Sequence, residues 1–166
     1  MSREGHAAGL ERARNLGSKE NGLAVVVTSR PDGSPQASVV NAGVLDHPVS
    51  REPVVGFVAR GGARKLPNLR RRPRLTVVFR SGWEWVAVEG DAELAGPDDF
   101  LDGLDVAEVP RVLRTVYAAA VGGTADDWAE LDEVMAAERH TAVLVRAVRI
   151  YSNPADASVR SRDEKW

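Results

Sequence analysis

Six segments of the chain are rich in Val and other strand-forming residues, and turn-forming or polar connections separate them. Runs of this kind, bounded by Gly, Pro, Asp and Ser, are typical of β-strands. We predict strands over residues 22–30, 36–45, 52–60, 74–80, 83–94 and 141–152. The first two are joined by the sequence PDGSP, whose turn-forming residues predict a β-hairpin.

The pattern of apolar positions within the strands predicts how the sheet is arranged. Along the fifth strand Val86, Val88 and Leu94 share one face, and Trp85 lies on the other. The segments 23–28 and 75–79 are apolar on both faces. Since a half-exposed sheet would alternate apolar and polar residues, closure into a small barrel or burial against a partner subunit explains this pattern better. We therefore expect a mainly β fold, a six-stranded antiparallel barrel with a helical insertion.

Helical spacing marks the rest of the chain. Residues 7–20 predict a helix with Leu10, Ala13 and Leu16 as its buried stripe. Residues 63–71 predict a short helix that Pro67 interrupts. Between the fifth and sixth strands, we predict a helical insertion over 97–140. Its first helix starts near Pro97 and restarts at Pro110, and its second runs through about His140. Phe100, Leu101 and Leu104 would form one apolar group there. The expected organisation is one split-barrel domain over 1–152 and a polar tail over 153–166.

Composition removes several classes of chemistry. The chain of 166 residues has no Cys, which excludes disulfides, thiolate zinc sites, iron–sulfur clusters and a Cys nucleophile. The three His residues show no metal-ligand spacing, so we expect no metal site and interpret them as isolated surface or helix-end residues.

We interpret the Asp pairs near predicted helix starts as caps. No apolar run is long enough to cross a membrane, and the first residues are charged, so we expect a cytoplasmic protein without a membrane partner.

A basic segment follows the third predicted strand. Gly61 and Gly62 open it, and seven cations lie within 15 residues: Arg60, Arg64, Lys65, Arg70, Arg71, Arg72 and Arg74. Glycines allow close approach of the backbone to an anion, and Arg and Lys side chains bind phosphate. The segment therefore indicates a site for one or two phosphates. A solvated basic surface remains an alternative. Nucleic acid is disfavoured as a partner because no aromatic residues interleave with the cations and the chain has a net charge of −2.

Two indoles stand two residues apart on the predicted fifth strand. Trp83 and Trp85 would project from the same strand face. Such a pair can stack on a flat ring or fill a subunit interface. The sequence leaves both alternatives open.

Three stretches together resemble one known superfamily. They are TSRPDGSPQASVV, VVGFVARGGARKLPNLRRRPRLTVVF and WEWVAVEGDAEL, and they are similar to the split β-barrel flavin-binding superfamily of pyridoxamine 5′-phosphate oxidase. The ending AAERHTAVLVRAVRIYS resembles a subgroup that uses the deazaflavin coenzyme F420. The resemblance implies a split β-barrel that forms a homodimer with two cofactor sites at the subunit interface.

The resemblance also implies site residues. The cofactor phosphate would meet Arg60, Arg64 and Lys65, with Asn68 nearby. The ring would lie along the second and third strands, against Ser38, Val39, Val40, Asn41, Val58 and Ala59. Trp85 would approach from the fifth strand, and Arg70, Arg71 and Arg72 would bind the acidic tail of F420. FMN oxidases of the superfamily usually have Arg where Ser38 stands and Gln where Trp85 stands, which argues against pyridoxamine phosphate oxidation.

Together with the basic segment, the resemblance implies a dimeric oxidoreductase that would pass a hydride from reduced F420 to a small conjugated or planar acceptor. Two other functions stay open: an FMN-binding oxidase or reductase, and a non-catalytic flavin or deazaflavin binding protein. Since the cofactor carries the hydride, no side chain is assigned a catalytic role.

Overall fold

Six antiparallel strands close into a barrel in the computed structural model, which describes residues 2–154. The strand order around the barrel is β1-β2-β3-β6-β5-β4, and pairing of β1 with β4 closes it. The strands are β1 (Leu23–Ser29), β2 (Pro35–Asp46), β3 (Pro53–Ala59), β4 (Arg74–Ser81), β5 (Glu84–Ala95) and β6 (Thr141–Ser152). The predicted fold class is confirmed, and each predicted strand is found within a few residues of its expected bounds.

Within residues 2–154, four α-helices and one 3₁₀ turn accompany the barrel. They are α1 (Arg3–Lys19), α2 (Lys65–Arg71), the 3₁₀ turn (Val106–Glu108), α3 (Val109–Val121) and α4 (Trp128–Ala137). None of the helices in the described residues is long and apolar enough to cross a membrane. Apart from Asn153 and Pro154, the predicted tail lies outside the described residues.

The first hydrophobic core fills the barrel. Alternate residues of the strands, such as Val26, Val77 and Val88, are fully buried in it. The predicted stripe of α1, including Leu10 and Leu16, packs into the same core. Burial of this apolar area is the main force that holds α1 against the barrel.

A second core forms outside the barrel, where the insertion between β5 and β6 packs on β2, β3 and β6. It joins Leu45 and Leu144 of the strands to Val116 of α3 and Met135 of α4. Because the insertion covers its outer face, β2 is buried on both faces from residue 42 to residue 45. The insertion leaves and rejoins the barrel at one cross-strand pair, Ala95 with Ala142.

The predicted helix start near Pro97 is wrong. Pro97 lies in a turn in which Gly96 and Asp99 exchange backbone hydrogen bonds of 3.1 and 3.4 Å. Regular α-helix in this region first begins at Val109, with Pro110 in its first turn, where a missing N–H costs nothing. The expected apolar group also divides, since Leu101 is buried whereas Phe100 is 83% exposed.

The interpretation of the Asp residues as caps holds at some positions and fails at others. Asp127 accepts from the backbone N–H groups of Ala129 and Glu130 and caps α4, and Asp105 caps the 3₁₀ turn. Asp98 and Asp99 instead form ion pairs with Arg139 and Arg70. These two carboxylates connect distant segments of the chain, which a local capping pattern does not predict.

Pro67 does not interrupt α2, contrary to expectation. It is the third residue of the helix, where a backbone N–H has no acceptor within the helix. The helix therefore forms around Pro67 without losing a hydrogen bond.

The C-terminal end of α3 lies with its backbone directly against β2 and the residue before β1. A Cβ atom on Gly43 would come within 2.2 Å of the carbonyl oxygen of Ala119. A Cβ atom on Gly22, where φ is +75°, would come within 1.7 Å of the carbonyl oxygen of Ala120. Only glycine at both positions allows α3 to pack this closely.

We expect Gly43→Ala to displace α3 and to lower the free energy of unfolding by about 1–3 kcal/mol, the usual cost of overpacking. The measurement is urea unfolding followed by circular dichroism. Gly123→Ala is the matched control, because a Cβ there meets no atom within 4 Å. Equal unfolding midpoints for the two variants would contradict the predicted packing constraint.

Candidate functional site

A cavity of about 560 Å³ lies between the barrel and the insertion. Its volume is within the range of roughly 300–1,000 Å³ that is typical of small-molecule sites. One wall comes from β2, β3 and the loop that leads to α2, and the other comes from α3, α4 and the turn before β6. The lining residues are Val39, Val40, Asn41, Val58, Ala59, Arg60, Ala63, Lys65, Tyr117, Ala120, Val121, Leu131, Val134, Met135, Glu138 and His140.

Seven of the eleven residues that the sequence assigned to the cofactor line this large cavity. They are Val39, Val40, Asn41, Val58, Ala59, Arg60 and Lys65. β2 and β3 are hydrogen-bonded neighbours whose pairing stops at Ala42 and Phe57, and the cavity residues of both strands lie just beyond this pair. The structure therefore brings together most of the residues predicted for the ring and two of the cations predicted for the phosphate.

The two cations of the large cavity differ in their electrostatic state. The Arg60 guanidinium donates two hydrogen bonds to the Glu138 carboxylate, from Nε at 3.0 Å and from Nη2 at 2.6 Å. Lys65 begins α2 and is half-buried, and burial lowers the pKa of its ammonium group, with no charged partner contributing. Among the residues that the structure describes, the positive charge of this cavity without a carboxylate partner is therefore that of Lys65.

Arg64 lies outside the large cavity, although it precedes Lys65. It lines a smaller cleft of about 250 Å³, with Arg30 and Arg71, and no carboxylate is among the residues that line this cleft. Asp32 in the adjacent turn accepts hydrogen bonds from Ser34, which hold the pKa of its carboxyl below the usual value. We call this group of Arg30, Arg64 and Arg71 the arginine cleft.

Asn68 has a structural role in this chain. Its buried side-chain amide donates to Thr28 Oγ1 at 3.1 Å and to Gln36 Oε1 at 2.8 Å. These bonds connect α2 to β1 and β2. Asn68 therefore fixes the position of the helix that carries Arg64 and Lys65.

The remaining predicted site residues lie elsewhere. Ser38 is half-buried on β2, opposite Val26, and lines neither the large cavity nor the arginine cleft. Trp85 packs edge-on against Tyr151, with 6.0 Å between the ring centroids. Trp83 lies in the turn before β5 and not on the strand, and 59% of its surface is exposed. The two indoles therefore do not form the expected pair on one strand face.

Sequence reasoning missed the wall that the insertion provides. Tyr117, Glu138 and His140 line the large cavity, and His140 is only 16% exposed in its side chain. Helical periodicity identified α3 and α4, but it does not indicate which strands they cover. The close packing of α3 on β2 brings Tyr117 to the cavity, and the contact of the residues after α4 with Gly61 brings Glu138 there.

His47 corrects the interpretation of the histidines as surface or helix-end residues. It is 1% exposed, and its Nε2 lies 2.8 Å from a carboxylate oxygen of Glu93. Its Nδ1 accepts from the backbone N–H groups of Val49 and Ser50. His47 thus stabilises the β2–β3 connection. Among residues 2–154, no three His, Asp or Glu side chains are grouped as metal ligands would be.

Comparison with known proteins relates this barrel to several solved structures. A conserved hypothetical protein of Mycobacterium tuberculosis superposes with a TM-score of 0.61 at 21% identity, covering 92% of this chain and 84% of that one. A pyridoxamine 5′-phosphate oxidase-related, FMN-binding protein from Nostoc punctiforme superposes with a TM-score of 0.58 at 16% identity, covering 90% and 82%. A heme-binding protein from Mycobacterium smegmatis gives 0.54 at 18% identity, covering 90% and 59%.

At these identities the structural likeness shows a shared fold. No protein of curated function matches the sequence. The sequence itself matches a family model described as pyridoxamine 5′-phosphate oxidase over residues 11–151. That match spans most of the chain, from α1 to the end of β6, so this protein belongs to the pyridoxamine 5′-phosphate oxidase family.

Proposed function

We propose that this protein is an oxidoreductase that binds coenzyme F420 in the large cavity and uses it to reduce a small conjugated or planar acceptor. The observation that carries the proposal is the arrangement of charge around α2. The uncompensated cation Lys65 lines the large cavity, while the arginine cleft lies beside the same helix. A ligand with a ring, a phosphate and an acidic extension suits this arrangement.

The residues of the large cavity fit a flat ring. Val40, Val58, Leu131 and Met135 provide apolar surface on opposite walls. Lys65 stands at the start of α2 and would bind the phosphate inside the large cavity, since charge-assisted hydrogen bonds to phosphate are among the strongest in proteins. Arg64 precedes it and would bind from the arginine cleft, where the phosphate joins the acidic tail.

The arginine cleft favours F420 over FMN. F420 carries a tail of lactyl and glutamyl carboxylates beyond its phosphate, whereas FMN ends at the phosphate. Arg71 lines the cleft and would bind that tail. Arg70, which the sequence analysis also assigned to the tail, donates two hydrogen bonds to Asp99, at 2.8 and 2.7 Å, and is already neutralised.

Reduced F420 supplies a hydride when it is bound. The chain's own residues would hold the ring face against the acceptor, and the walls formed by β2, β3, α3 and α4 would exclude water. A non-catalytic binding protein would use the same contacts. Turnover with an acceptor distinguishes the two functions.

We also propose that the active unit is a homodimer. An apolar row crosses the outer face of the barrel through directly paired residues: Val39, Val25, Val78, Ala87 and Tyr151. Val39 is 65% exposed, Val25 41% and Tyr151 43%, whereas Val78 is half-buried and Ala87 is buried. An apolar row that is exposed at three of its five residues is typical of a protein interface. Because Val39 also lines the large cavity, a second copy on this face would adjoin the cofactor site.

We expect the purified protein to bind F420 more tightly than FMN, measured by titration of ring fluorescence. Arg71→Ala should weaken binding of F420 by about ten-fold, the loss expected for one charge-assisted hydrogen bond, and should leave FMN affinity unchanged. Preferential binding of FMN by the wild-type protein would contradict the assignment of F420 and favour the FMN-dependent alternative.

A second prediction concerns the phosphate. We expect the double variant Arg64→Ala, Lys65→Ala to bind both FMN and F420 at least about ten-fold more weakly, because each of the two substitutions removes a cation from the start of α2. Arg111→Ala is the control, since Arg111 is an exposed cation on α3 that pairs with Glu108. Unchanged affinity in the double variant would show that the phosphate binds elsewhere.

A third prediction concerns assembly. We expect the wild-type protein to have twice the chain mass of 17.9 kDa in light scattering, and Val39→Asp to have the mass of one chain, because a charge is costly to bury in an apolar interface. Val49→Asp is the control, because Val49 is 43% exposed but lies outside the apolar row. A single-chain mass for the wild-type protein would contradict the homodimer.

A further inference from the structure

Glu138 places a carboxylate among the lining residues of the large cavity. It is the residue that follows α4, and its backbone N–H donates to Val134 O at 3.0 Å. Its own carbonyl oxygen accepts from the backbone N–H of Gly61 at 3.0 Å. The backbone that carries this carboxylate is therefore fixed on both sides, by the helix end and by the glycine loop.

Gly61 has no space for a side chain at this contact. A Cβ there would lie 2.8 Å from Arg139 Cβ and 2.9 Å from Arg139 O. The end of α4 thus packs tightly on the loop that leads from β3 to α2. This packing holds Glu138 within reach of Arg60, whose guanidinium it binds with both carboxylate oxygens.

The ion pair sets the charge of the cavity. The charged side chains that line it are Arg60, Lys65 and Glu138, and His140 is the neighbouring titratable group, with Nε2 at 3.6 Å from Glu138. Since Glu138 neutralises Arg60, one positive charge remains. A phosphate monoester such as that of FMN carries a charge of about −1.5 to −2 at neutral pH. The phosphodiester of F420 carries a single negative charge, which one cation balances.

We infer that Glu138 is a specificity-determining residue: by occupying Arg60, it selects for a singly charged phosphodiester and against a doubly charged phosphate monoester. The inference rests on the proposed function in that it takes the large cavity to be the cofactor site. Binding of a dianionic phosphate requires Arg60 to exchange Glu138 for the ligand, or leaves the ligand with a single cation. Either outcome weakens FMN relative to F420.

The test compares riboflavin, FMN and F420 on wild-type protein and on Glu138→Gln, by titration of ring fluorescence. Riboflavin is the ring without a phosphate. We expect Glu138→Gln to tighten FMN binding by about three-fold or more, within the range for an exposed ion pair, and to leave riboflavin unchanged. The affinity for F420 should change less than that for FMN.

Asp132→Asn is the matched control. Asp132 also lies on the insertion and forms a two-point ion pair with an arginine, Arg114, but it does not line the large cavity. A background of Arg60→Gln provides the second control. If Glu138 acts by occupying Arg60, then Glu138→Gln has no further effect on FMN affinity in this background.

Each outcome decides between the hypotheses. Tighter FMN binding that depends on Arg60 supports the inference, as does FMN binding that appears only in Glu138→Gln. Three results would overturn the inference: an equal change in affinity for riboflavin and FMN, no change in FMN affinity, or a gain in FMN affinity that persists in the Arg60→Gln background. In each of these cases, tight binding of F420 leaves the proposed function intact. Absence of binding of all three ligands to every variant overturns both.

Discussion

The contact between the backbone of α3 and the two glycines of the barrel determines where the site is. Because neither Gly22 nor Gly43 has a side chain, the last turn of α3 lies against β2 at backbone distance. The second core and the wall of the large cavity follow from that approach, since Val116 enters the core while Tyr117 faces the cavity. Without this close packing, the large cavity would lose the part of its wall that α3 provides, Tyr117, Ala120 and Val121.

The cations at the start of α2 are divided between the large cavity and the arginine cleft. Lys65 and Arg64 are consecutive residues, yet one lines the large cavity and the other the arginine cleft. Buried hydrogen bonds from Asn68 hold this helix to β1 and β2, so neither cation depends on the ligand for its position. A site that is organised before binding loses less entropy when the ligand arrives. A helix held in this way would therefore favour binding at both cavities through the position it gives to their cations.

The sequence was sufficient to predict the barrel and most of one cavity wall. Alternation identified β5, because strand faces repeat with a period of two. The continuous apolar runs identified β1 and β4 as strands that are covered on both faces. Local pattern failed where distant charges compete with local structure. Asp99 looked like a cap but pairs with Arg70, and no local pattern indicated that Arg60 pairs with Glu138. Both partners lie far away along the chain, and no periodicity connects them. His140 and Tyr117 were missed for the same reason.

The insertion begins and ends at the single pair Ala95 and Ala142, so in topological terms it is one enlarged hairpin connection between β5 and β6. The hydrogen bonds between β5 and β6 extend from this pair along the barrel and do not involve the residues of the connection. Lengthening a connection whose ends are already held together adds little entropic cost to folding. Residues 96–140 can therefore change in length and sequence while the strand register that presents Val40 and Val58 stays the same. The architecture thus separates the half of the cavity that the barrel builds from the half that the connection builds, so the second can change shape while the first keeps its geometry.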